Sequence, residues 1–150
     1  VIFNSTAQIA TYLNKKGDTD INSLKNHILE ITATGGTNFE AGYQSALNVF
    51  DNLGTIEDGY QNRIIVITDA MPNIGTTDKV GLLKYMQTSA ENNIYTTFIG
   101  VGLDFNTEVI KTITNVRGAN YYSVSSEEEF NTLFSENGFQ REFFSIPAWR

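Results

Sequence analysis

Apolar and polar positions change period several times along the chain. Val1 to Phe3 and Gln8 to Leu13 are short strand-like runs separated by the turn residues Asn4 and Ser5, which predicts a hairpin. Ile21, Leu24, Ile28 and Ile31 then fall at helical spacing, with Asp20 placed to cap a helix. After "TATGGTN" a second helical stretch carries Tyr43, Leu47 and Phe50 on one face and ends near Leu53–Gly54. "RIIVITDAM" is a continuous apolar run, the pattern of a strand covered on both faces. A third helix follows, with Val80, Leu83, Met86 and Ala90 as its stripe. "IYTTFIGVG", Ile94 to Gly102, predicts a second buried strand. The next helix has Asn106 as its cap, Val109, Ile113 and Val116 as its face, and Gly118 as its stop. "NYYSVSS" predicts a third strand, and Ser126 with Glu129 has the spacing of a capping box opening a last helix.

From Arg63 onward strands alternate with helices. That order implies βαβ units, so the expected class is α/β, a doubly wound and mainly parallel sheet. Ligands of such sheets sit at the carboxyl ends of the strands. Asp69 ends one strand, Gly100 to Asp104 end the next, and Gly35 to Asn38 precede a helix, which assigns all three to one rim.

The chemistry available on that rim is oxygen chemistry. Thr37 offers a hydroxyl and Asp69 a carboxylate, ligands suited to Mg²⁺, Mn²⁺ or Ca²⁺. Gly35 and Gly36 let the backbone turn tightly beside them, and Asn38 and Asp104 are further polar candidates. Each residue also has a plainer reading. Thr37 or Asn38 can cap the helix that follows, and Asp69 can be a turn residue before "MPN".

Composition narrows the choice. The net charge of −7 argues against nucleic acid and anionic membranes, which need a basic patch. Cysteine is absent and His27 is the single histidine, which removes disulfides, thiolate chemistry and multi-histidine metal sites. His27 lies beside the apolar positions of its helix and reads as structural. No apolar run reaches membrane-spanning length. Neither G-x-S-x-G nor G-x-x-x-x-G-K-[ST] occurs, and "GVG" lacks the third glycine of a dinucleotide loop. Glu127 to Glu129 open a helix, where the dipole favours them, so they read as a solvated cap rather than an acid/base pair. No positive sign of an enzyme emerges. The chain begins inside a strand-like segment, which reads as the interior of a longer gene product.

"VIFNSTAQI", "TGGTNFEAGYQSAL", "RIIVITDAMPN", "YTTFIGVGLDFNTEVIKTI" and "GANYYSVSSEEEF" stand in an order and spacing that resembles a von Willebrand factor type A domain, most of all its bacterial and archaeal surface or secreted members. The resemblance covers residues 1–134 and leaves 135–150, with Phe139, Phe143, Phe144 and Trp149, as an aromatic tail or the start of a following segment. It implies a doubly wound sheet with one antiparallel edge strand and a metal-ion-dependent adhesion site. In such a site Thr37 would bind Mg²⁺ or Mn²⁺ directly, Asp69 would act through a water, and a Glu or Asp of a protein partner would complete the coordination. The site's Asp-x-Ser-x-Ser loop is absent: "SVSS" has no leading aspartate, and "DTD" and "TTD" lie elsewhere. By the resemblance the chain starts after that loop, without the first strand and helix. Ala70 stands where the family usually has glycine, a mild change if its φ is negative.

These readings combine into one expectation. The chain is a non-enzymatic, adhesion-type module outside the cytoplasm (extracellular, cell-surface or periplasmic), with weak metal binding through Thr37 and Asp69. The alternative is a structural or assembly module with a vestigial site. Exposed strand edges would also permit self-association.

Overall fold

Elements alternate along the chain much as the periodicity predicts. The computed structural model describes residues 1–13, 20–52, 61–102 and 107–134. Asp104, Asn106, the side chain of Val109 and the aromatic tail therefore lie outside the described residues, as does the end of the second helix at Leu53–Gly54. The chain divides into two units. One comprises residues 1–56 and 72–76, the other 57–71 and 77–150.

In the first unit, β1 (Ile2–Phe3) and β2 (Ala7–Gln8) pair antiparallel, with Ile2 opposite Gln8 and Phe3 opposite Ala7. The predicted hairpin is present, although its second strand is shorter than the apolar run Gln8–Leu13. Asn4 closes the turn: its N–H donates to the Thr6 carbonyl at 2.8 Å, and its Oδ1 accepts from the Thr6 N–H at 3.0 Å. α1 (Ile21–Leu29) starts where Asp20 predicts, the Asp20 carboxylate accepting from the N–H groups of Asn22 and Ser23. None of its residues is buried, and Ile31 lies beyond its end, so the apolar stripe forms a helix without a covered face. His27 is exposed in its last turn. α2 (Phe39–Asp51) packs on β1 and β2 and buries Phe39, Gly42, Tyr43 and Val49. Gly42 is required there, because a Cβ would come within 2.7–3.0 Å of the Phe3 side chain.

In the second unit, β3 (Asn62–Thr68), β4 (Ile94–Val101) and β5 (Asn120–Val124) form a parallel sheet in the order β3-β4-β5. The register sets Ile67 beside Ile99, and Ile99 beside Tyr122. α3 (Lys79–Glu91) and α4 (Thr107–Thr114) make the crossovers, as parallel pairing requires. α3 packs on β4 and α4 on β5, with Met86, Ala90, Ile113 and Val116 buried. Val80, expected in the stripe of α3, is instead exposed in the helix's first turn.

β4 is buried through Gly100, as its apolar run predicts. β3 is not covered on both faces. Ile64, Val66 and Thr68 are buried, whereas Ile65 and Ile67 are 45% and 53% exposed. The reason lies in the layer above. α5 (Glu127–Phe134) sets Phe130 and Leu133 against Ile99 and Val124, reaching the β4–β5 side of that face and leaving β3's outer residues in water.

α5 begins with a shifted capping box. The Ser126 hydroxyl accepts from the Glu129 N–H, but the Glu129 carboxylate reaches back to the N–H and hydroxyl of Ser125, both at 2.7 Å. The Ser125 N–H, then its hydroxyl, hold the Glu129 carboxyl below its ordinary value. That cap is therefore intact above the usual carboxylate range and is lost as pH falls through Glu129's own, lowered value.

Candidate functional site

Thr37 sits in the first unit on a segment whose backbone is tied at every step. Gly35 takes φ +75°, which only glycine adopts freely, and so turns the chain into the site. The Gly36 N–H donates to the Ser5 hydroxyl at 2.8 Å. The Thr37 N–H donates to Oδ1 of Asn73 at 2.8 Å, and its carbonyl accepts from the N–H groups of Asn73 and Ile74 at 3.0 and 3.3 Å. The Asn38 N–H donates to the Asn4 carbonyl at 2.7 Å. Gly36 makes this possible as well, since a Cβ there would lie 2.7 Å from Oδ1 of Asn73.

The helix cap belongs to Asn38. Its Oδ1 accepts from the Ala41 N–H at 3.0 Å, and its amide donates to the Ser5 carbonyl at 3.3 Å. The Thr37 hydroxyl thus has no cap to make and no hydrogen bond among the described residues. A half-buried threonine with its main chain pinned on both sides and its oxygen unengaged can act as a ligand.

Asp69 sits in the second unit, one residue past β3, and is exposed. The turn it enters is made by its neighbour: the Thr68 hydroxyl donates to the Ala70 carbonyl at 3.0 Å and accepts from the Ala70 N–H at 3.3 Å. The carboxylate of Asp69 has no hydrogen bond among the described residues. Ala70 has a negative φ, so alanine is unstrained where glycine is usual. Gly102, at the end of β4, donates its N–H to the Val124 carbonyl at 2.8 Å.

Sequence reasoning missed the residues that tie the Thr37 segment and residues 72–76 in place. Asn73 lies just beyond the turn that Asp69 enters and belongs to no motif, and nothing in the local pattern singles out Glu40. The Glu40 carboxylate accepts from both the N–H and the hydroxyl of Thr76, at 2.8 and 2.7 Å. Together Asn73 and Glu40 anchor residues 72–76, the segment that follows Asp69 in the chain after two residues. Glu40→Ala leaves both Thr76 donors without their acceptor and is expected to cost about 1–3 kcal/mol. Glu40→Gln keeps an accepting oxygen and should cost less. Amide exchange at Thr76, with the unfolding midpoint, checks both.

As metal chemistry the donor set is hard and incomplete. Thr37 and Asp69 fit Mg²⁺, Mn²⁺ or Ca²⁺ by type, but they are two oxygens where about six are wanted. Among the described residues no three His, Cys, Asp or Glu side chains cluster in a way that could hold a metal ion.

A parallel three-stranded sheet alternating with helices, together with an antiparallel strand pair, defines a Rossmann-like α/β fold. The chain belongs to the von Willebrand factor type A domain family, whose model matches residues 1–136. It is similar to inter-alpha-trypsin inhibitor heavy chain H2 of Sus scrofa, 26% identical over 100 residues, and of Homo sapiens, 27% identical over the same length. Each match covers 65% of this chain and 11% of the relative, so the chain spans about a tenth of those proteins' length. Among solved structures it resembles the SpRpn10 VWA domain, with a TM-score of 0.61 and 15% identity over 87% of this chain and 67% of that one, a likeness of fold. Domains of this family commonly mediate protein–protein interaction. No helix among the described residues is long and apolar enough to cross a membrane.

Proposed function

We propose that the domain binds a protein partner that presents a Glu or Asp, through a divalent cation for which Thr37 and Asp69 supply oxygen ligands. Mg²⁺ is the preferred ion, and Mn²⁺ or Ca²⁺ are substitutes. The observation that carries this reading is the unengaged Thr37 hydroxyl on a backbone fixed by three hydrogen bonds, in a segment where Asn38 has taken the cap. The cation would bridge an acidic protein to an acidic ligand, an approach that a net charge of −7 otherwise opposes. No bond is made or broken, so the reading is non-enzymatic, and a place outside the cytoplasm goes with it.

With so few protein ligands, binding by this chain alone should be weak, with a Kd on the order of millimolar. Mn²⁺ titrated by calorimetry into the chain and into Thr37→Ala tests this. A millimolar isotherm that disappears in the variant supports the reading; micromolar affinity, or no difference between the two, contradicts it. The small number of donors among the described residues favours a second reading, a structural or assembly module with a vestigial site, which predicts partner binding indifferent to Thr37→Ala and Asp69→Ala.

A further inference from the structure

Residues 72–76 group with the first unit, although the chain before them, 57–71, and after them, 77–150, belongs to the second. This strap is gripped at both ends. At its start Asn73 meets Thr37 twice: its Oδ1 accepts from the Thr37 N–H at 2.8 Å, and its own N–H donates to the Thr37 carbonyl at 3.0 Å. At its far end the Glu40 carboxylate takes both the N–H and the hydroxyl of Thr76. Between the two, Gly75 at φ +74° lays the strap on the cap of α2. A Cβ there would lie 2.7 Å from Oδ1 of Asn38 and 3.1 Å from Oε2 of Glu40.

The grip has a particular consequence for Thr37. One residue engages both polar groups of its main chain, which fixes the backbone and leaves the hydroxyl free to meet a ligand. The Asn73 amide oxygen is committed to the Thr37 N–H, so its influence on that hydroxyl runs through Thr37. Asp69 stands four residues before Asn73 in the same stretch of chain. The strap therefore ties the main chain that carries Asp69 to the main chain that carries Thr37. Ligands drawn from two units bind an ion more tightly when their freedom is removed beforehand.

We propose that Asn73 is the positioning residue of the cation site. It sets the Thr37 hydroxyl and, through the strap, couples it to Asp69, so that cation binding and closure of the Asn73–Thr37 clamp strengthen each other. This rests on the cation reading and adds to it a residue that does not touch the ion. Linkage makes the effect reciprocal: whatever factor the clamp contributes to cation affinity, the cation returns to the clamp.

Mn²⁺ broadens the amide NMR signals nearest to it, which registers even millimolar binding residue by residue. In the unmodified chain the signals of Thr37 and Asp69 should broaden with one midpoint. Asn73→Ala should raise that midpoint about fivefold, the equivalent of one ordinary hydrogen bond. In the Thr37→Ala background the same change should add nothing to the broadening left at Asp69, because a residue acting only through Thr37 has nothing left to act on. Saturating Mg²⁺ should slow exchange of the Thr37 amide in the unmodified chain by about the same factor, a readout that needs no variant. Broadening that is absent at Thr37 in the unmodified chain, or that Thr37→Ala leaves unmoved, overturns the cation reading and this proposal with it. Three results overturn the proposal alone. One is an Asn73→Ala midpoint equal to that of the unmodified chain. Another is a further loss in the double variant, which would mark Asn73 as a ligand or a general prop of the fold. The third is a Thr37 amide whose exchange is indifferent to Mg²⁺ while Mn²⁺ broadens its signal.

Discussion

Gly118→Ala is expected to lower stability by about 2–4 kcal/mol, through backbone strain and overpacking together. Gly118 takes φ +68°, and a Cβ there would press into the Tyr95 ring, 2.9 Å from Cε1 and 3.0 Å from Cγ. The ring has little room to retreat. Tyr95 is buried on β4, with the guanidinium carbons of Arg63 and Arg117 each 5.8 Å from its centroid. The Gly118 carbonyl also accepts from Arg63, so a backbone shift would disturb a second contact. Gly102→Ala is the matched control. Its φ is +64°, yet nothing among the described residues lies within 4 Å of its Cβ position, so only the strain of about 1–2 kcal/mol should appear. Denaturant midpoints at unchanged slope measure both, and equal losses in the two variants would show that the Tyr95 contact yields freely.

The largest single loss should come from Ile99→Ala, at about 2–5 kcal/mol. Ile99 is wholly buried in β4 and packs with Val124, Tyr122, Phe130 and Leu133, a cluster joining two strands to α5. Removing its outer carbons leaves a cavity that relaxes only in part, since β4 is flanked by β3 and β5. Ile67 is its register partner on β3, with the same chemistry in water. Ile67→Ala should cost well under 1 kcal/mol, as surface substitutions usually do. Thermal unfolding of the two variants side by side isolates burial from residue type.

What could be read from the sequence was what short stretches decide. Asp20 and Asn38 each begin a helix because a side-chain oxygen three or fewer residues away satisfies N–H groups that the helix leaves open. The strands of the parallel sheet were legible because apolar runs of that length between helices have one economical arrangement. Choosing between Thr37 and Asn38 as the cap was beyond local pattern, since both side chains suit it. The choice is made by Asn73, 36 residues away from Thr37, whose amide oxygen takes the Thr37 N–H. Glu40 and Thr76 meet over the same sequence distance. Likewise Ile65 and Ile67 have the composition of core positions. Whether they are covered depends on how far α5 extends across the sheet, which no window of β3 contains. The stripe of α1 carries the same lesson: periodicity makes a helix but does not supply what buries it.

The role proposed for Thr37 is to hold in part a cation that lets an acidic domain bind an acidic ligand. Its most direct test is retention of poly-L-glutamate, with poly-L-glutamine as the uncharged match, on the immobilised chain in Mg²⁺ and then in EDTA. Retention of polyglutamate alone, in Mg²⁺ alone, is expected, lost in Thr37→Ala and kept in Thr37→Ser, with melting temperatures unchanged. Retention that survives EDTA, or that Thr37→Ala leaves intact, would contradict it.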